Sequence, residues 1–252
     1  PSASGKSIAV VLDYNEGFHA TDSSGTVDIE LASADVTSVS AGKGTMVLRK
    51  SYPTLAVGTA PSATLSAGTD QVLGTFNVTA DAAGDVDWGQ VVFTVNKTAA
   101  VTLGATTTLK VWDVTSGATS LAGTFATTTD SSVTGNDALV GLTSGLLHFR
   151  PDTVQTVGAG ATRKYELRGT VGGLAAGSNL SVSIATPKTS AVTVAFATAA
   201  GTLGTAANAS FVWSDWSDAT DHATTPLTAT DWANDYLVKT MPLTIGNRSV
   251  SF

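Results

Sequence analysis

Apolar residues recur at every second position through most of the chain. Ile8, Val10 and Leu12 alternate with other residues, as do Val27, Ile29 and Leu31, and then Met46 and Leu48. Further along come Leu73, Phe76 and Val78, and then a strong alternating run, Val91, Phe93 and Val95. Leu109 with Val111, Leu121 with Phe125, Leu147 with Phe149, and Tyr165 with Leu167 and Val171 continue the pattern. Leu180, Val182 and Ile184, then Val192, Val194 and Phe196, complete it. Side chains on a strand alternate between faces, so this two-residue period predicts strands with one face buried. Gly, Asp, Asn and Pro punctuate the runs, as turns require. Many short strands at this spacing read as a sandwich or a barrel, and the fold expected is an all-β, Ig-like sandwich. The helical spacing of apolar positions is nearly absent. The one helix expected is short, near Thr230 to Tyr236, with Thr230 as its N-cap.

The runs divide the chain into three parts. Residues 1–53 form a strand-rich N-terminal segment that could be donated to a neighbouring subunit. Residues 54–245 form the main sandwich and include a Trp- and Asp-rich closing segment, 213–240. Residues 246–252 are a C-terminal strand or tail. Ser7 to Tyr14 and Ser249 to Phe252 read as terminal strands, which either pair within their own sheet or complete a neighbour's.

Composition narrows the function. Hydrophobic residues make up 42% of the 252, enough for a packed core. Charged residues are only 13%, about half the usual share. The surface must therefore be built from Ser, Thr, Asn and Gly, whose short side chains lose little entropy on being ordered. That suits extensive protein–protein contact. The net charge is -7, with no basic cluster, which argues against a nucleic-acid partner. No apolar run is long enough for a membrane-spanning helix. Cysteine is absent, so disulfides, thiolate metal sites and cysteine nucleophiles are excluded. A chain that opens on Pro1 and not on Met is expected to be a processed form.

Candidate chemistry is sparse. Gly5-Lys6-Ser7 lacks the upstream glycine of a phosphate-binding loop. His19, His148 and His222 stand in no recognisable catalytic context, and no nucleophile-elbow motif accompanies them. The chain is therefore not expected to be an enzyme, and no cofactor is expected apart from a candidate calcium ion. Asp81, Asp85 and Asp87 share a turn that reads either as Asx capping or as a hard-cation site. Asp215 and Asp218 offer the same choice. Trp213, Trp216 and Trp232 lie among these aspartates. They read either as a platform for stacking sugars or as a cap over a sheet end, and the cap is favoured. Exposed rings would mark a platform; buried rings would mark a cap. Asn77, Asn96, Asn179, Asn208 and Asn247 each open an Asn-x-Ser/Thr triplet and are candidates for N-glycosylation.

Three stretches carry a family resemblance. They are Thr45-Met46-Val47-Leu48-Arg49-Lys50-Ser51-Tyr52-Pro53-Thr54, Ser210-Phe211-Val212-Trp213-Ser214-Asp215, and Thr230-Asp231-Trp232-Ala233-Asn234-Asp235-Tyr236-Leu237-Val238-Lys239. Together they resemble the large secreted β-sandwich surface proteins of candidate-phyla bacteria with very small genomes. The resemblance covers about residues 40–245. It implies that the first stretch leads into a sandwich and that the other two close it. It also implies an extracellular, cell-surface location, and it brings no catalytic residues. The expectation is a structural protein that assembles with itself into a filament, pilus or surface layer. An adhesin or carbohydrate-binding module, contacting a glycan or host surface, is the first alternative. A phage structural protein is the second.

Overall fold

The structure is a computed structural model. It describes residues 49–127, 139, 142–185, 210–215, 232, 233, 235, 238 and 240–250, together with four short strands before them. The chain divides into two compact units, Pro1–Leu48 and Arg49–Phe252.

In the first unit, β1 (Ser7–Ile8) pairs antiparallel with β4 (Met46–Val47), and β2 (His19–Thr21) with β3 (Asp28–Glu30). The candidate donor strand at Ser7–Ile8 is thus paired inside its own unit.

The second unit packs two antiparallel sheets face to face. The six-stranded sheet runs β10 (Thr119–Ser120), β9 (Lys110–Asp113), β14 (Thr162–Gly172), β6 (Gly68–Ala80) and β5 (Pro53–Val57), with β8 (Thr102–Leu103) also on β14. The seven-stranded sheet runs β11 (Gly123–Thr127), β12 (Ser144–Pro151), β7 (Val86–Lys97), β15 (Asn179–Ile184) and β17 (Leu243–Ser249). Two further strands, β13 (Gln155–Val157) and β16 (Phe211–Ser214), lie along β7 beyond β12 and β15. The fold is an all-β sandwich, and no α-helix occurs among the described residues. The boundary expected after residue 245 runs through β17, a full member of its sheet.

The alternation seen in the sequence becomes the core. Phe76 and Tyr165 from the six-stranded sheet meet Trp88, Phe93, Phe149 and Phe211 from the other, all fully buried. Phe76 stacks on Tyr165 at 5.3 Å, and Trp88 meets Tyr165 edge-on at 5.2 Å. Edge-to-face and offset geometry follows from the ring quadrupole and adds to the stability gained by burial. Trp88 Nε1 donates to the Tyr165 hydroxyl at 3.2 Å, so neither buried polar group is stranded. Burial drives the Tyr165 phenol up to about 12.

The sides of the sandwich are closed. On one side the chain passes from β10, the last strand of one sheet, into β11, the last strand of the other. On the other side β17 crosses β6 at a glycine contact. A Cβ on Gly74 would lie 2.7 Å from Ile245 Cγ1, and one on Gly246 would overlap the Leu73 carbonyl. The loop after β5 bridges the outer edge of β17, with Leu65 N donating to Ser249 O at 2.8 Å and Ser249 N to Ala63 O at 2.9 Å. Arg248 fastens the loop by donating to the carbonyls of Ser62, Thr64 and Val72. At the edge of β5 the Thr240 hydroxyl donates to the Leu55 carbonyl. Uncovered sheet edges invite foreign strands, and these contacts occupy them.

Candidate functional site

The three stretches behind the family resemblance meet in space at the Val86 end of β7. The mainspring of the meeting is β16, which pairs with β7 through Phe211↔Val91, Val212↔Gln90, Trp213↔Trp88 and Ser214↔Asp87. Gly89 of β7 is left without a partner on β16, and this bulge lets Trp88 and Val91, three residues apart, both face the core opposite Trp213 and Phe211.

Asp215 follows directly. Its carboxylate is fully buried, yet it accepts from three donors: the backbone N–H groups of Lys50 and Ser51, and Arg49 Nη1 at 3.2 Å. The Arg49 guanidinium also lies 5.5 Å from the Trp213 ring centroid, a cation–π contact. Ser51 Oγ donates to Gly84 O at 2.6 Å, tying the same stretch to the turn before β7. A buried carboxylate is tolerable only when its charge is balanced and its lone pairs are filled, and here both conditions hold.

The third stretch closes over the second. Trp213 and Ala233 exchange both backbone hydrogen bonds, at 3.1 and 2.8 Å, in an isolated antiparallel bridge. The fully buried Asp235 accepts from Ser210 N at 2.6 Å. Trp232, next to Ala233 in sequence, is fully buried. The helix expected over Thr230 to Tyr236 is not formed at Trp232, Ala233 or Asp235. The Trp213 backbone captures Ala233 in extended form, and that non-local pairing outweighs the local N-cap signal.

The outward face of this end of β7 is buried as well. Asp87, Gln90 and Val92 face away from the sandwich core, as do His148 and Arg150 of β12 and Val212 and Ser214 of β16. All seven are less than 9% exposed. Desolvation by this burial lowers the Arg150 guanidinium from its ordinary value, and neighbouring Asp152 raises it in part.

The other candidates lie apart. Asp81 Oδ1 accepts from Ala83 N at 2.9 Å, and Asp85 Oδ1 from Ala159 N at 2.8 Å, so each carboxylate caps a turn amide. Asp87 points to the buried outer layer instead. Among the described residues no three His, Asp or Glu side chains converge on a point where a metal ion could sit. Trp216, Asp218, His222 and Asn208 lie outside the described residues, as does the run from Val192 to Phe196. Trp213 is 6% exposed and Trp232 0%, so neither ring offers a face to a sugar.

One group was missed in the sequence. Trp112 of β9 lies on the outward face of the six-stranded sheet and is half-buried. Arg168 stacks 4.6 Å above its ring centroid and is paired with Glu166 through Nε at 2.8 Å and Nη2 at 2.6 Å. Its signal was present: Trp112 is out of phase with Leu109, Val111 and Asp113 on a strand whose Val111 faces inward.

No protein-family model matches the chain, and no curated protein matches it significantly.

Proposed function

We propose that the chain is a structural protein of the cell surface whose copies assemble with one another into a filament, pilus or surface layer. The observation that carries this reading is where the aromatic and acidic side chains of the closing segment are used. Trp213, Trp232, Asp215 and Asp235 are consumed inside the fold, where they lock three distant stretches together. A subunit that must hold its shape under load in a polymer needs such a lock, whereas a ligand platform needs those groups outside.

The composition supports the same reading. Faces of Ser, Thr and Asn can be ordered against a second copy with little loss of side-chain entropy and little charge to desolvate. The route favoured is contact between faces. Exchange of terminal strands would first have to break β1 from β4 or β17 from β15, and the edges of β5 and β17 already carry intrachain contacts.

A binding module is the second reading, and Trp112 is the observation in its favour. A half-buried ring on an outward sheet face, beside the Arg168–Glu166 ion pair, is the kind of group that stacks on a sugar.

Negative-stain electron microscopy of the purified chain, with and without a calcium chelator, tests the proposal. Regular filaments or sheets are the expected result, and their dissolution by chelator would place calcium at the contacts. Monodisperse single subunits under both conditions would overturn self-assembly and bring the Trp112 reading forward.

A further inference from the structure

Three of the Asn-x-Ser/Thr triplets fall on three adjacent strands: Asn96-Lys97-Thr98 at the end of β7, Asn179-Leu180-Ser181 in β15 and Asn247-Arg248-Ser249 in β17. On a strand, residues i and i+2 share a face, so each acceptor amide stands beside its own hydroxyl. The register then brings the triplets together. Asn96 lies opposite Ser181, and Ser181 opposite Asn247. One pleat along, Asn179 lies opposite Ser249. Thr98 N donates to Asn179 O at 3.1 Å, and Asn179 N donates to Thr98 Oγ1 at 3.2 Å. Two rows result, Asn96–Ser181–Asn247 and Thr98–Asn179–Ser249, in which amide and hydroxyl alternate along both directions of the sheet.

The middle residues of the triplets turn the other way. Lys97 is buried and its Nζ donates to Val101 O at 2.7 Å. Leu180 is in the core, and Arg248 is buried on its three carbonyls. Both cations next to the acceptors are thereby removed from this face. Asn96, Asn179 and Asn247 are all exposed. Asn77 opens a triplet too, but it is half-buried on the other sheet, and its Oδ1 is buried without a hydrogen bond.

We propose that Asn96, Asn179 and Asn247 form one glycan-acceptor face, modified by N-linkage to an oligosaccharide. The donor is an oligosaccharide activated as a lipid phosphate. The Asn Nδ2 forms the new bond to the anomeric carbon, the carbon–oxygen bond to phosphate breaks, the lipid phosphate leaves with the electron pair, and the amide nitrogen gives up one proton. Cross-strand and along-strand spacings place neighbouring acceptors about 8 to 10 Å apart. Glycans at that distance crowd one another, so the three sites share partial occupancy. A face that bears glycans points to solvent, and contacts between copies then fall elsewhere.

Glycopeptide mass spectrometry on the chain recovered from the cells that make it is the test. A glycan on at least one of the peptides holding Asn96, Asn179 or Asn247, with Asn77 bare, is the expected result. Bare peptides at all three positions, or a glycan at Asn77 alone, would overturn the proposal. The triple variant Asn96→Gln, Asn179→Gln, Asn247→Gln changes only exposed side chains, so it is expected to keep the wild-type circular dichroism and lose the glycan mass. Retention of that mass would also overturn it.

Discussion

The Asp215 carboxylate meets two backbone amides and a guanidinium where water has little access. Replacing it strands those donors, and stranded buried donors are costly. Asp215→Ala is expected to destabilise the sandwich by about 3 kcal/mol, read as a lower denaturation midpoint at unchanged slope. Asp215→Asn keeps one acceptor oxygen and should cost about half as much. Equal stability of Asp215→Ala and wild type would remove the lock from the account. Tyr165 gives a second test at this scale. Its phenol is raised to about 12, so the neutral form is favoured in the fold. The stabilising contribution is fully present below the unfolded value near 10 and is lost as pH rises through about 12. In a spectrophotometric titration near 295 nm, one tyrosine should ionise about two units late, coincident with unfolding. Ionisation of all four tyrosines in one step near pH 10 would contradict the burial of this ring.

Strand β7 shows how far the sequence could be read at the scale of an element. Its inward set, Val91, Phe93 and Val95, was plain from alternation, and so were the core positions of β12, β14 and β15. Its outward set was not, because Asp87 and Gln90 look like solvent-facing residues in the sequence, yet both are fully buried. Register along a sheet is likewise non-local, which is why three scattered Asn triplets gave no sign of sharing one face. The lock was half legible: the aspartates and tryptophans stood out, and a cap was the favoured role, but nothing local tied Asp215 to Lys50 and Ser51. The crossing of β6 and β17 was invisible, since a glycine in a strand announces no particular neighbour. That crossing makes a sharp prediction. Gly246→Ala drives a methyl into the Leu73 carbonyl and should force the two strands apart. A loss of about 2 kcal/mol or more, seen as a fall of roughly 4 °C or more in Tm, is expected. An unchanged melting temperature would mean that the side of the sandwich is not closed there.

For the whole molecule, low charge sets the terms of association. Contacts between neutral faces contain few ion pairs for salt to screen. Light scattering from the assembled chain should therefore change little between low salt and about 1 M salt. Dissolution across that range would point to charged contacts, with Lys110, Lys164 and the Arg168–Glu166 pair on the outward face of the six-stranded sheet as the first to examine. The two-unit division adds a further question, whether the sandwich alone associates or needs residues 1–48. The central claim is self-assembly, and sedimentation velocity of the whole chain over a wide concentration range tests it most directly. The account predicts a sedimentation coefficient that grows with concentration until large regular species dominate. A single boundary at the monomer value at every concentration would contradict it.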